Sequence, residues 1–221
     1  MNVRYKCLIL DHDDTAVQST EHIHYPSFVE VLQTLRPSEK VLTFEEFVMY
    51  CYEPGFIGLC KDVLKFTEEE YEKQQQIWHT HTAKSIPSFY MMFPEVIREF
   101  KERGGIVTVL SQSESSRIIR DYKHHCGFEP DVVYGWDMEP EYRKPHPYGI
   151  QQILKQFDLQ PEEVLMVDDM KPAIAMAKSC GVEFAAAGWG HHLPVIKENM
   201  KIESDYYFET VEQFRNFLFH K

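Results

Sequence analysis

Little in this sequence ties it to a membrane, a nucleic acid or an oxidising compartment. It has only five cysteines, Cys7, Cys51, Cys60, Cys126 and Cys180, an odd number with no Cys-x-x-Cys spacing. A disulfide framework and a structural zinc site are both poorly served by that set, and a reducing compartment fits it better. Cations are scarce: 23 Lys and Arg stand against 35 Asp and Glu, for a formal net charge of −12. A surface that acidic repels phosphate backbones and anionic lipids, so broad nucleic-acid or membrane-surface binding is not expected. No run approaches the ~20 apolar residues a spanning helix needs. The apolar segment after Met1-Asn2-Val3-Arg4 is too short and wrongly flanked for a signal peptide, so a soluble cytoplasmic protein is expected. Internal repeats and low-complexity segments are also missing.

What is present suffices for a sizeable core. Hydrophobic residues make up 43% of the 221 positions and charged residues 26%, enough for one large domain or one domain carrying a smaller insert. Short apolar runs read as buried strands at Tyr5 to Leu10, Ile106 to Leu110, Val164 to Val167 and Val182 to Ala187, with a weaker one at Asp131 to Val133. Helical spacing fills the gaps at Pro94 to Arg103, Ser113 to His125, Pro147 to Phe157, Lys171 to Cys180 and Thr210 to Phe219. Strands alternating with helices predict an α/β fold, a parallel sheet covered by helices on both faces. The stretch 16–93 differs. It shows no clear strand, reads as helical at Tyr25 to Leu35, Thr43 to Tyr52 and Thr67 to Thr82, and carries a capping box at Thr67 and Glu70. An all-helical insert over 16–93 is therefore expected within a core made of 1–15 and 94–221.

In open parallel sheets ligands gather outside the carboxyl ends of the strands. Three of the runs deliver polar residues there: Asp11-His12-Asp13-Asp14-Thr15, Ser111-Gln112-Ser113 and Asp168-Asp169. Asp11 and Asp13 suit a shared cation, or an attack by one while the other handles protons; acids after a strand also serve as turn residues or helix caps. Four carboxylates at one edge resist ionisation unless a cation neutralises them, and a hard divalent ion such as Mg2+ suits that donor set. Lys144, between Arg143 and Pro145-His146-Pro147 in a stiffened loop, can balance that charge and grip a phosphoryl oxygen. Ser111 and Gln112 stand where a hydroxyl and helix-start amides receive an anion, or where a helix is simply capped. His22, His24, His191 and His192 are read as surface residues in preference to zinc ligands, and Trp136 and Trp189 as packing residues.

The order strand-Asp-x-Asp-x-Thr, strand-Ser, Lys-Pro, strand-Asp-Asp resembles the haloacid dehalogenase superfamily, specifically the phosphoglycolate phosphatase and β-phosphoglucomutase-like members whose helical cap follows the first motif. Asp11 to Thr15 is similar to the family's first motif and Val109-Leu110-Ser111 to its second. Lys144-Pro145-x-Pro147 is similar to the third, and Val167-Asp168-Asp169 with Ala175-x-Ala177-Lys178-x-x-Gly181 to the fourth. Asp14 stands where many relatives have glycine, as does Asp168, and Ala173 where many have a further acid.

That resemblance implies a Rossmann-like three-layer core and a Mg2+-dependent phosphatase acting on a small phosphorylated metabolite as a monomer or weak dimer. It implies that Asp11 attacks phosphorus, that Asp13 moves protons, and that Ser111 and Lys144 hold phosphoryl oxygens beside Gln112. Metal ligation falls to Asp11, Asp13 through its backbone carbonyl, and Asp169, with Asp168 as an additional candidate. A sugar-phosphate mutase would use the same residues, and a non-catalytic binding protein of this fold is the remaining alternative. The insert is expected to act as a lid, with Glu53 to Gly58 as its substrate-facing loop.

Overall fold

A computed structural model describes residues 3–220. Six strands lie in one sheet among them: β1 (Cys7–Leu10), β2 (Ile106–Leu110), β3 (Val132–Tyr134), β4 (Val164–Asp168), β5 (Glu183–Ala187) and β6 (Tyr206–Phe208). Their order is β3-β2-β1-β4-β5-β6 and every pairing is parallel. The chain runs outward from β1 through β2 to β3, then returns to the other side of β1 and runs outward again. That reversal leaves a crevice at the carboxyl ends of β1 and β4. β6 has no counterpart among the expected strands: its three residues follow a polar stretch and are too few to show a period. Asp205 anchors its entry by accepting a hydrogen bond from the Phe184 amide at 2.9 Å.

The chain forms two compact units, one running to Gln18 and resuming at Ser88, the other spanning Ser19–Pro87. Residues 16–18 and 88–93 therefore lie outside the smaller unit, although the sequence pattern places them in the insert. The reason is backbone pairing: Val17 bridges both Asp13 and Phe89, and the Tyr90 amide donates to the Ala16 carbonyl at 3.0 Å.

The smaller unit is helical: α1 (Tyr25–Leu35), α2 (Phe44–Tyr52), the short α3 (Phe56–Gly58), which runs into a widened turn at Leu59–Val63, and α4 (Glu68–Lys84). Its core joins Phe28, Val31 and Leu32 to Phe47, Leu59 and Ile77. Thr43 with Glu46 and Thr67 with Glu70 form reciprocal capping boxes that start α2 and α4. Arg36, just past α1, grips Glu70 with two hydrogen bonds of 2.7 and 2.9 Å and donates to the Leu64 carbonyl at 3.2 Å.

In the larger unit the helices are α5 (Phe93–Glu102), α6 (Ser115–Cys126), α7 (Tyr148–Gln156), α8 (Lys171–Ser179), α9 (Pro194–Glu203) and α10 (Val211–Phe219). Alternate strand residues face opposite ways. Leu8, Leu10, Val107, Val109, Leu165 and Val167 point to one side and share a cluster with Phe93 and Phe100 of α5, Tyr122 of α6 and Phe214 of α10. On the other side Leu110 lies against Gly149 of α7, where a side chain at 149 would collide with it. Each fully buried phenylalanine contributes about 1.5–3 kcal/mol. The result is the three-layer α/β architecture the strand and helix pattern predicts. No helix among the described residues is long and apolar enough to cross a membrane.

Candidate active site

The pairing of β1 with β4 sets the centre of the site. Leu10 lies beside Val167, and the Asp11 amide extends the ladder by donating to the Val167 carbonyl at 2.9 Å. That register brings Asp11 alongside Asp168, the last residue of β4. Asp11, Asp168 and Asp169 each offer a carboxylate oxygen within 4.8 Å of the others, and all three are buried. Lys144, in the loop between β3 and α7, reaches into the group. Its Nζ donates to Asp11 Oδ1 at 2.8 Å and makes a short ion pair with Asp168 Oδ2.

The electrostatics follow from the burial. Desolvation pushes the Asp168 carboxyl up to about 7, with Lys144 pulling it down and Asp11 pushing it further up. Burial also raises Asp169 well above the ordinary range, and the charges of Asp168, Asp11 and Asp14 add to that. Burial alone would lower the Lys144 ammonium, but Asp11 and Asp168 outweigh it and raise the pKa. One ammonium thus faces three crowded carboxylates. A divalent cation would balance the remainder, and an all-oxygen donor set fits a hard ion.

The other expected residues are arranged around this centre. The Asp13 carboxylate is turned toward Ser113, whose Oγ donates to Asp13 Oδ2 at 2.6 Å, so its side chain lies outside the three-acid cluster. Ser111 is buried at the end of β2, and its Oγ accepts from the Ser113 amide at 3.2 Å. Helix α6 begins later and takes its first-turn bond elsewhere, from the Ser115 amide to Asp137 Oδ1 at 2.8 Å, so Ser111 is not the cap of that helix. Gln112 is exposed, and its side-chain amide donates to the Lys144 carbonyl at 3.2 Å, bracing the lysine loop. Asp14 adopts a left-handed backbone with φ of 53°, a conformation glycine takes at less cost.

Several residues here carry more than the sequence pattern assigned them. His191, expected at the surface, is only 5% exposed. Its Nε2 lies 2.5 Å from the Asp169 carbonyl oxygen and its Nδ1 3.3 Å from the Tyr207 hydroxyl. Burial lowers its pKa to about 4, so the ring is neutral near pH 7. His12 is buried inside the first motif, with Nε2 3.2 Å from Asp121 Oδ2 on α6. A histidine following a strictly apolar strand was the available signal for it. Trp189 packs against Phe93 and Phe214, as expected of a core aromatic, and its Nε1 also donates to the Thr15 carbonyl at 2.9 Å. Trp136 sits under the Arg143 guanidinium at 4.2 Å. In the smaller unit His24 Nδ1 accepts from Trp78 Nε1 at 3.0 Å.

A family model described as haloacid dehalogenase-like hydrolase matches residues 8–187. Pyrophosphatase PpaX of Bacillus cereus (strain G9842) is 28% identical over 191 residues, covering 85% of each chain. Among solved structures, a predicted phosphoglycolate phosphatase of Haemophilus somnus superposes with a TM-score of 0.73 at 19% identity, over 96% of both chains. CbbY of Rhodobacter sphaeroides in complex with phosphate superposes with a TM-score of 0.69 at 16% identity, over 93% of this chain and 94% of that one.

Proposed function

This chain belongs to the haloacid dehalogenase-like hydrolases and is an enzyme of the phosphatase type, and on that premise we propose that it hydrolyses a small phosphate monoester through an aspartyl-phosphate on Asp11, with Mg2+ as the bound ion. The observation that carries the reading is the junction of β1 and β4, where Lys144 Nζ sits 2.8 Å from Asp11 in a group of three converging carboxylates.

In this mechanism an Asp11 carboxylate oxygen attacks phosphorus in line and displaces the leaving alcohol. Asp13, oriented by Ser113, gives the leaving oxygen its proton and later takes one from the water that attacks the aspartyl-phosphate. Lys144 and the Ser111 hydroxyl hold the non-bridging phosphoryl oxygens. Mg2+, held by Asp11, Asp169 and the Asp13 backbone carbonyl, with Asp168 as a further ligand, would neutralise charge on the transferring group. Positioning and electrostatics supply most of the acceleration in such chemistry. Free thiols at all five cysteines fit a reducing, cytoplasmic setting, and the net charge of −12 disfavours nucleic acid as a substrate.

The test is phosphate release from a panel of small phosphorylated metabolites, with Mg2+ and with chelator. Pyrophosphate belongs in the panel because the Bacillus cereus relative is named for it. Release that needs Mg2+ and disappears in Asp11→Asn supports the reading. Slow release accelerated by a sugar bisphosphate would favour the mutase. Tight ligand binding without turnover across the panel would overturn the enzymatic reading.

A further inference from the structure

The segment following β5, Gly188 to His191, meets both acid-bearing loops by three different contacts. Trp189 Nε1 donates to the Thr15 carbonyl at 2.9 Å. Gly190 lies so close to the first loop that a Cβ there would stand 2.0 Å from the Asp14 carbonyl oxygen. His191 Nε2 approaches the Asp169 carbonyl at 2.5 Å. A carbonyl only accepts, so Nε2 carries the proton, and Nδ1 is left to accept from the Tyr207 hydroxyl at 3.3 Å. The circuit closes between the loops themselves, because Thr15 Oγ1 donates to Asp169 Oδ1 at 3.4 Å.

Filling space at this position would not require such contacts. Two directional hydrogen bonds from large, buried or half-buried rings end on the backbone of the two loops that supply the converging carboxylates. The residue between those rings can only be glycine unless the first loop moves. Backbone position is what sets the distance from Asp11 to Asp169, and that distance decides how well a small divalent ion is held.

We propose that Gly188 to His191 is a positioning clamp: Trp189 and His191 fix the separation of the Asp11–Thr15 loop from Asp169 and thereby tune the affinity of the site for a divalent cation. The proposal rests on the metal-dependent reading above. His191 touches no reacting atom in it; it acts through Asp169.

Mg2+ binding is measured by calorimetric titration, without substrate, alongside thermal melting. His191→Phe keeps the ring volume and loses the donor; it should weaken Mg2+ binding by about 10-fold or more. His191→Gln restores an N–H donor and should return affinity to within about 3-fold, scaled to the same outer-shell effect. Tyr207→Phe and Trp189→Phe should each weaken binding in the same direction, and they carry the test if His191→Phe does not fold. Lower melting temperatures with wild-type Mg2+ affinity in His191→Phe, Tyr207→Phe and Trp189→Phe would overturn the clamp and leave the phosphatase reading standing. Failure of the wild-type protein itself to bind Mg2+ would overturn both, which separates the two failures.

Discussion

The larger unit buries Asp11, Asp168 and Asp169 side by side with one lysine among them, whereas the helical insert keeps the ion pair of Arg36 with Glu70 partly open to solvent. In the first region charge is placed where burial and like-charge repulsion both oppose it. In the second, charge sits where it helps local structure: Glu70 closes a capping box, and Arg36 ties the end of α1 to the start of α4. Stability and chemistry are thus divided between the units. The larger one holds a crowded, buried polar centre at the edge of its apolar sheet, and the insert contributes none of the three converging carboxylates.

Four substitutions break or sharpen that contrast. The largest effect is expected from Lys144→Met. It leaves Asp11 and Asp168 crowded without their cation, so turnover should fall by about 10²–10³-fold. Melting temperature should fall as well, and added Mg2+ should recover part of the stability but not the rate. Equal turnover in the variant would remove Lys144 from the mechanism. Next is Asp121→Ala, which removes the side-chain partner of buried His12 within the first motif. Removing one partner of a buried hydrogen bond leaves the other unsatisfied and costs about 1–3 kcal/mol, and denaturant unfolding measures it; a loss under about 0.5 kcal/mol would show that the contact does not support the loop.

Arg36→Met should cost less, under about 1 kcal/mol, because its ion pair is partly solvated. Its pH dependence is specific. The Arg36 guanidinium holds Glu70 down at about 2. A carboxylate depressed below its unfolded value of about 4.3 contributes stability above that value and loses it as pH falls toward 2. The melting difference between wild type and Arg36→Met should therefore be full at neutral pH and close between about pH 4.5 and 2; a difference independent of pH would sink the assignment. The smallest change is expected from Asp14→Gly. Relief of the left-handed backbone gains about 1 kcal/mol, and glycine's extra freedom in the unfolded chain takes back most of it. Melting should shift by only a few degrees, with hydrolysis retained.

How far the sequence was legible follows the same division. Strands that are short, apolar and punctuated by acids announce themselves, so the pattern located β1, β2, β4 and β5 and placed Asp11, Ser111 and Asp169 at one edge. The contacts that tune the site are tertiary and left no local mark. His191 reads as a surface residue in sequence, and its partners, the Asp169 carbonyl and Tyr207 of β6, are both remote from it along the chain. The pattern groups Asp13 with three other acids at one edge, yet its side chain is turned toward Ser113, which sits 100 residues away in sequence. The insert's boundaries differ for a related reason, since Val17 belongs with the larger unit through isolated backbone bridges to Asp13 and Phe89 that no periodicity records.

The most direct measurement is mass spectrometry of the protein quenched in acid during turnover with Mg2+ and a hydrolysed substrate. A phosphoryl group on the peptide containing Asp11, absent in Asp11→Asn, is the predicted result. Steady turnover with no phosphorylated Asp11 peptide, or undiminished turnover in Asp11→Asn, would contradict it.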